Sequence, residues 1–422
     1  MLEKHVDILI IGGGPAGLAA AIGAKEQGVD DILVIEREDS LGGILGQCIH
    51  NGFGLHRFKV EMTGPEYAQM DIDKVRELGI PTLCDTMVLS VDENRRVVAI
   101  NKEQGLMVFN AGAVILAMGC RERPFGALGI AGTRCSGIFS AGTAQKYVNL
   151  MGFIPGKKVF ILGSGDIGLI MARRMTLQGS EVLGVAEIMP YSSGLNRNIV
   201  QCLDDYGIPL YLKHTVIEVR GKERLEGVTI AEVDDMRKPI PGTEKHFDCD
   251  TLLLSVGLIP ENELSQGANV EMSNTTSGPI VDDEFQTSKA GIFACGNVLH
   301  VHDLVDFVSD ESMKAGKAAA NFINKKTKKG TIINMLDGKG VRGVVPQKLK
   351  IPVDGEDAEN VQVMFRPDKV YENARVKVYN GDNEIYSVKK RILAPGEMAD
   401  IILKKDIIQN LQNAPIRVDI ES

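Results

Sequence analysis

The 422-residue chain contains no tryptophan, few aromatic residues (5%) and no excess of basic residues. Its net charge of −9 argues against a nucleic-acid partner, because phosphates need a basic surface. The seven cysteines include no CxxC pair and no group with the spacing of metal ligands. We therefore expect reduced thiols in a cytoplasmic protein.

Long hydrophobic runs are also scarce. The longest, residues 6–24, is interrupted by Asp7 and by a Gly-Gly-Gly-Pro turn, which suit a strand–turn–helix better than a membrane span. The first strand is predicted to start almost at Met1, which leaves no room before it for a signal-peptide layout. We expect no transmembrane segment.

Glycine, by contrast, is frequent, with 46 residues, and forms three GxGxxG patterns. Chance alone gives roughly 0.5 such matches in this length. The pattern at 338–343 has no strand before it and is interpreted as accidental. The other two follow an apolar strand and open a helix, and they consist of Gly12, Gly14 and Gly17 and of Gly163, Gly165 and Gly168.

These two patterns have the features of dinucleotide-binding turns. The first glycine allows a tight turn, the second lets backbone N–H groups approach a pyrophosphate, and the third permits close helix packing. Glu36 and Glu187 end the next strands, close to the ~20-residue spacing of a ribose-binding acid. No arginine follows Glu187 at 188–190, which favours NAD over NADP. The alternative is that one motif is merely a structural turn.

The first motif, the strand 111–119, the second motif and the strand 292–297 follow one another along the chain. In this order they resemble the two-dinucleotide-binding-domain flavoproteins of the pyridine nucleotide-disulfide oxidoreductase superfamily. The resemblance covers residues 5 to about 325 and implies the cofactors FAD and NAD. The FAD-binding residues that it implies are Gly12, Gly14, Pro15, Ala16, Gly17, Glu36, Arg37, Gly42, Gly43, Gln47, Val88, Ala117, Gly119, Gly296 and Asn297. The implied NAD-binding residues are Gly163, Gly165, Asp166, Ile167, Gly168, Glu187 and Gly257. The family usually has Gly-Asp where this chain has Gly296-Asn297.

The predicted fold class is α/β, with an FAD-binding Rossmann-like domain, an inserted NAD-binding Rossmann-like domain and a small all-β C-terminal domain. The predicted domains are 1–125 with 278–328 for FAD, 126–277 for NAD and 331–422 for the β-rich tail. In the tail, short strands are predicted at VQVMF, ARVKVY, EIYSV and ADIIL. The acidic stretch 354–360 is interpreted as a solvated linker or loop.

The sequence disfavours disulfide reduction, because the family's two cysteine patterns are absent. The position five after Cys48 is Phe53, so no C-x4-C lies beside the flavin motif, and Cys135 opens no CxxC. Dithiol exchange needs an attacking thiolate and a resolving partner. Cys48 and His50 remain candidate catalytic residues. Cys48 is either a single peroxidatic thiol or a small apolar neighbour of the flavin, and His50 either binds the flavin or is structural.

Three stretches resemble a narrower group: LGGILGQCIHNGFG, MTGPEYA and CGNVLHVHDLVDFVSDESMKAGKAAA. They are similar to the NAD/FAD oxidoreductase subunit encoded beside glycerol-3-phosphate dehydrogenase in anaerobic bacteria, and more distantly to subunits of sarcosine oxidase, opine oxidase and hydrogen cyanide synthase. The resemblance implies a partner flavoprotein dehydrogenase subunit together with a small iron-sulfur subunit. This chain lacks a cysteine cluster of its own for such a centre.

Two further features bear on the flavin. A helix predicted to begin near 309–312 would direct its N-terminal dipole at the reduced flavin, or would be an ordinary packed helix. His300, His302 and Asp303 either line an exit toward a partner or form a polar loop. The functional alternatives are an NAD-linked catalytic subunit, a free-standing NADH oxidase or peroxidase using Cys48, and an assembly scaffold with an unused nicotinamide site.

Overall fold

The computed structural model describes residues 2–353 and 358–421. The chain divides into two compact units, one formed by Met1–Cys120 with Pro260–Ser422 and the other by Arg121–Ile259. Residues 354–357 of the acidic stretch lie outside the described residues, and 358–360 have no regular secondary structure.

The bounds of the regular elements are as follows. The strands are β1 (Leu2–Ile11), β2 (Ile32–Ile35), β3 (Asn51–Phe53), β4 (Met62–Thr63), β5 (Thr82–Leu83), β6 (Met87–Val91), β7 (Arg96–Asn101), β8 (Gly105–Leu116), β9 (Cys120–Glu122), β10 (Ala131–Gly132), β11 (Ile138–Ser140), β12 (Lys158–Leu162), β13 (Glu181–Glu187), β14 (Leu210–Leu212), β15 (His214–Gly221), β16 (Leu225–Glu232), β17 (Lys245–Phe247), β18 (Thr251–Leu254), β19 (Leu258–Pro260), β20 (Ile292–Ala294), β21 (Gly330–Asp337), β22 (Val341–Val345), β23 (Lys348–Pro352), β24 (Val361–Pro367), β25 (Tyr371–Asn380), β26 (Asn383–Leu393), β27 (Ala399–Leu403) and β28 (Ile416–Glu421). The α-helices are α1 (Pro15–Glu26), α2 (Gly64–Glu77), α3 (Ala141–Asn149), α4 (Asp166–Leu177), α5 (Asn196–Cys202), α6 (Glu263–Gly267), α7 (Val305–Ile323) and α8 (Lys405–Ile408).

The first unit is built on a sheet of order β5-β2-β1-β8-β7-β6, with β20 pairing to β8. The pairings of β1 with β2 and β8, of β2 with β5 and of β8 with β20 are parallel. Only the second half of β1, residues 8–11, is an apolar run, and there both faces of the strand are covered: Ile8, Leu9 and Ile10 are fully buried. In a parallel sheet the carboxyl ends of the strands share one edge, and there the first glycine turn joins β1 to α1.

Small residues let α1 and α7 pack closely. A Cβ on Gly23 of α1 would lie 2.3 Å from the carbonyl oxygen of Met313, and one on Gly316 of α7 would lie 2.0 Å from that of Ala20. Both glycines are thus required by helix packing. This contact holds α7 against the helix that follows the glycine turn.

The helix predicted to begin near 309–312 begins earlier, at Val305. Asp306 of the additional first turn is buried and accepts hydrogen bonds from the backbone N–H groups of Gly54 (3.2 Å) and Arg57 (2.9 Å). The predicted start was wrong because this stabilisation comes from a loop distant in sequence. The first turn of α7 therefore also fixes the loop that follows Cys48.

The second unit has a parallel sheet of order β11-β18-β12-β13-β14 and a second sheet of order β10-β15-β16-β17. The second glycine turn joins β12 to α4. Two hydrophobic clusters form its interior, one of them around Ile161 and Leu169 and the other around Phe160 and Leu252. The unit thus has a core of its own.

The tail folds into sheets of order β23-β21-β28-β25-β26 and β22-β24-β27 around its own hydrophobic cluster. The strands predicted at VQVMF, ARVKVY, EIYSV and ADIIL correspond to β24, β25, β26 and β27. Sequence reasoning missed β21, β22, β23 and β28, and α8 adds one helical turn. The expectation that no strand precedes the glycine pattern at 338–343 was wrong, because β21 ends directly before it; the pattern leads into β22 and not into a helix, unlike the other two. The predicted α/β class with a β-rich tail is confirmed.

Candidate functional site

The first glycine turn has the shape that a pyrophosphate requires. Gly12 has φ +109°, and a Cβ there would lie 2.4 Å from the carbonyl oxygen of Ala117. A Cβ on Gly17 would lie 1.8 Å from the carbonyl oxygen of Gly12. Gly14, in contrast, faces only the Cα of Gly43, at 3.9 Å. Gly12 and Gly17 are required because a side chain at either position would overlap the protein backbone. Gly14 has no such neighbour and leaves room for a ligand at the N-terminus of α1.

Glu36 closes this turn. Its carboxylate accepts hydrogen bonds from the backbone N–H groups of Gly13 (2.6 Å) and Glu38 (2.9 Å), and the residue is buried. Gly42 donates its N–H to the carbonyl oxygen of Gly13. A buried carboxylate held this way can accept hydrogen bonds from ribose hydroxyls. The residues present thus fit an adenosine diphosphate group.

Some of the other residues predicted for FAD lie beside this turn, whereas Val88 does not, because β6 is the last strand of the sheet order β1-β8-β7-β6. A Cβ on Gly43 would lie 3.0 Å from the Cα of Gly14, and a Cβ on Gly296 would lie 2.7 Å from the Cβ of Ala16. Gln47 and Ala117 are buried, while Arg37 is exposed, and Pro15 begins α1. Val88 is buried in β6 opposite Ala99. Gly119 has φ +73° and open space on its Cβ side.

The second glycine turn repeats the first. Gly163 has φ +96°, and a Cβ there would lie 2.0 Å from the carbonyl oxygen of Ser255. A Cβ on Gly168 would lie 2.7 Å from the carbonyl oxygen of Gly163, and one on Gly165 would lie 3.1 Å from the Oγ of Ser255. Gly257, at φ +96°, has open space on its Cβ side. The turn fits a second dinucleotide.

Glu187 is fixed by hydrogen bonds, as Glu36 is. One of its donors is Ser164, a residue that the sequence analysis did not predict. Its carboxylate accepts hydrogen bonds from the N–H (3.0 Å) and Oγ (2.6 Å) of Ser164 and from the N–H of Met189 (3.0 Å). Ser255 was not predicted either. Its Oγ accepts a hydrogen bond from the backbone N–H of Gly168. Ser164 could have been predicted from its place between the first two glycines of the motif. Ser255 could not, because it is distant from the motif in sequence.

Two residues predicted for NAD have structural contacts. The carboxylate of Asp166, at the start of α4, accepts hydrogen bonds from the N–H of Leu195 (2.8 Å) and the Nδ2 of Asn198 (2.7 Å). Ile167 packs against the core of the second unit. Asp166 thus fixes the loop beside the turn, and a negative charge at this helix end stabilises the helix dipole.

Cys48 has the environment of a packed thiol. Its Sγ lies 3.3 Å from the carbonyl oxygen of Ile44, to which it donates. Although the residue keeps some exposed surface, burial raises the pKa of the thiol to about 12. A reactive cysteine needs a thiolate, which is favoured by a lowered pKa. None of the seven cysteines, all of which lie in the described part of the chain, forms a disulfide.

His50 lies within the same loop. Its Nδ1 is 3.0 Å from the carbonyl oxygen of Asn51, and its ring centroid is 5.0 Å from that of Phe53. The chain enters α2 through a capping box between Thr63 and Glu66. These contacts give the loop a defined conformation beside the first glycine turn.

His300 and His302 are buried, so the two rings do not line a surface exit. Both face Glu311 of α7, and their side chains are 4% and 1% exposed. Burial opposes ionisation of Glu311, but His302 and His300 outweigh it and lower the pKa of the carboxyl. Burial lowers the pKa of His300. Asp303 belongs elsewhere, because it pairs with Arg366 of the tail at 2.6 Å.

Comparison with known proteins agrees with this geometry. Residues 6–321 match the sequence model of the pyridine nucleotide-disulphide oxidoreductase family. The chain belongs to this family and is an FAD- and NAD-dependent oxidoreductase. No helix among the described residues is long and apolar enough to cross a membrane.

Three similar proteins illustrate the range of relatives. One opine oxidase subunit of Agrobacterium tumefaciens is 25% identical over 315 residues, which cover 70% of this chain and 62% of that protein. Hydrogen cyanide synthase subunit HcnB of Pseudomonas protegens is 26% identical over 339 residues, covering 74% of this chain and 69% of that one. The solved structure of T. acidophilum thioredoxin reductase shares the fold with a TM-score of 0.61 at 23% identity, covering 75% of this chain and 98% of that one.

Proposed function

We propose that this chain is the FAD- and NAD-binding subunit of a multi-subunit dehydrogenase. It exchanges hydride between NAD(H) and FAD and passes electrons to or from a partner flavoprotein subunit, without a redox disulfide of its own. The partner is of the glycerol-3-phosphate dehydrogenase type. Bound FAD and NAD supply the redox chemistry, and the protein supplies binding, orientation and exclusion of water.

The observation that carries this proposal is the pair of matching glycine turns. In each turn a buried glutamate accepts N–H groups from the turn itself, Glu36 from Gly13 and Glu187 from Ser164. A scaffold protein with an unused nicotinamide site would not need the second carboxylate, which is 5% exposed. Glu187 supports NAD over NADP because a 2′-phosphate would meet its negative charge.

The spacing of the cysteines supports electron transfer without a redox disulfide. Cys48 has no second cysteine at the C-x4-C position, and Cys135 opens no CxxC. The raised pKa of the Cys48 thiol also disfavours a peroxidatic role, because the thiolate is the nucleophile.

The partner assignment is supported by the relatives and by three sequence stretches. Two relatives are themselves named as subunits. The stretches around Cys48, at 62–68 and at 295–320 are similar to the subunit encoded beside glycerol-3-phosphate dehydrogenase. This assignment is tested by isolating the native complex from its host and identifying the subunits. Co-purification of a flavoprotein and a small iron-sulfur protein supports the assignment. A chain that purifies alone contradicts it.

The hydride exchange itself is tested by anaerobic titration of the purified flavoprotein with NADH. We expect stoichiometric bleaching of the flavin absorbance, and NADPH should react at least about tenfold less efficiently because of the charge of Glu187. Stopped-flow spectroscopy measures both rates. Absence of bleaching by NADH, in a chain that retains FAD, would support the scaffold alternative instead.

Replacement of Cys48 by serine separates the proposed function from that of a free-standing peroxidase. We expect flavin reduction by NADH and the slow turnover with oxygen or peroxide to change by less than about twofold, because a packed thiol takes no part in electron transfer. Cys84→Ser, at another partly exposed thiol, is the matched control. Fast peroxide turnover that disappears only in Cys48→Ser would contradict the proposal.

A further inference from the structure

Three ligand-type side chains meet in the interior of the first unit. His300 and His302 follow the short turn at Gly296, and Glu311 lies two turns into α7. Their ligand atoms all lie within 4.8 Å of one another, and the side chains are 4%, 1% and 2% exposed. None of the three belongs to the glycine turns that bind the dinucleotides.

One carboxylate oxygen faces both rings. The Oε2 of Glu311 lies 2.7 Å from the Nε2 of His300 and 3.3 Å from the Nε2 of His302. The other oxygen, Oε1, accepts the backbone N–H of Gly296 at 2.7 Å. The carboxylate is therefore fixed in orientation, in the way that outer hydrogen bonds orient metal ligands.

The contacts of Asn297 determine where His302 carries its proton. The backbone N–H of His302 donates to Oδ1 of Asn297 at 3.0 Å, which identifies that atom as the oxygen. The Nδ1 of His302 lies 3.3 Å from the same oxygen and therefore carries a hydrogen. In the neutral ring, Nε2 is then a bare acceptor that faces a carboxylate oxygen.

This arrangement of acceptors favours a cation. The Nε2 of His302 is buried without a hydrogen-bond partner. Two acceptors at 3.3 Å repel each other unless a positive charge lies between them. Buried polar atoms without partners are uncommon, and a bound ion is one of the few explanations for an acceptor that points at a carboxylate.

We propose that His300 Nε2, His302 Nε2 and Glu311 Oε2 bind a divalent first-row transition metal ion, of the zinc or ferrous class. Two imidazole nitrogens and one carboxylate oxygen suit these ions, whereas Ca²⁺ and Mg²⁺ prefer oxygen ligands. Binding displaces the proton that His300 places toward the carboxylate. Because the site is buried, the ion is structural and joins the Gly296 turn to α7. The site does not depend on the proposed partner or substrate.

Metal analysis of the full FAD-containing chain tests this inference. After equilibration with Zn²⁺ and removal of excess ion, we expect about one zinc per chain by mass spectrometry, and Co²⁺ in its place should give a visible d–d band. His302→Gln should lower the affinity at least about tenfold. His5→Gln, at an exposed histidine of β1, is the matched control and should retain the ion. Equal zinc affinity in wild type and His302→Gln would overturn the proposal.

A second measurement covers the case in which His302→Gln does not fold. The wild-type chain is stripped with a chelator and titrated with Zn²⁺ while its thermal midpoint is followed. Preferential binding to the folded state should raise the midpoint reversibly. A midpoint that neither Zn²⁺ nor Co²⁺ changes, with no d–d band, would overturn the proposal. NADH-dependent bleaching in the same samples reports separately on the proposed function.

Discussion

Gly163→Ala is expected to slow reduction by NADH strongly while the chain keeps its FAD. The alanine Cβ would lie 2.0 Å from the carbonyl oxygen of Ser255 at a backbone φ of +96°, so the turn must move. Movement shifts the N–H groups of the turn and the N-terminus of α4 away from the pyrophosphate. We expect kcat/KM for NADH to fall by roughly 100-fold, equal to about 2.7 kcal/mol. Anaerobic stopped-flow measures this rate.

FAD should remain because its predicted residues lie in the other compact unit, which has its own hydrophobic core. The matched control is Gly179→Ala, in the same unit as Gly163, with φ +86° and nothing near its Cβ. It has a comparable backbone strain of about 1–2 kcal/mol but does not lie in the glycine turn. Equal loss of NADH reduction in both variants would mean that unfolding, and not the turn, is responsible.

Gly12→Ala is expected to yield a chain that purifies largely without flavin. Its Cβ would lie 2.4 Å from the carbonyl oxygen of Ala117 at φ +109°, between β1 and β8. The strain of about 1–3 kcal/mol and the overlap together displace the turn that Glu36 closes. A loss of about 2.7 kcal/mol in binding lowers FAD affinity roughly 100-fold. The ratio of flavin absorbance to protein measures the outcome.

Gly28→Ala provides the control for this variant. Gly28 follows α1, has φ +91° and has nothing within 4 Å of its Cβ. Its alanine variant should lose about 1–2 kcal/mol of stability but retain a full complement of FAD. A Gly12→Ala chain with normal flavin content would contradict the assignment of this turn to FAD. Thermal melts of both apoproteins would show whether the stability changes are comparable.

The motifs that sequence reasoning found are those whose parts lie close together along the chain. Gly12, Gly17 and Glu36 share one βαβ unit, and so do Gly163, Gly168 and Glu187, so spacing alone predicts that they meet. The start of α7 could not be predicted because Asp306 is stabilised by N–H groups of residues 54 and 57, far away in sequence. Ser255 was missed for the same reason.

The sequence by itself determined the α/β class and the two glycine turns, since tight turns and buried strands leave local patterns of glycine and apolar residues. Only the tertiary structure decided what surrounds His300, His302 and Glu311. From the sequence, the two histidines could form either a polar loop or an exit, but the fold brings Glu311 of α7 to them and leaves all three side chains buried. The physical reason is that burial and charge pairing depend on which distant segments meet in the folded chain.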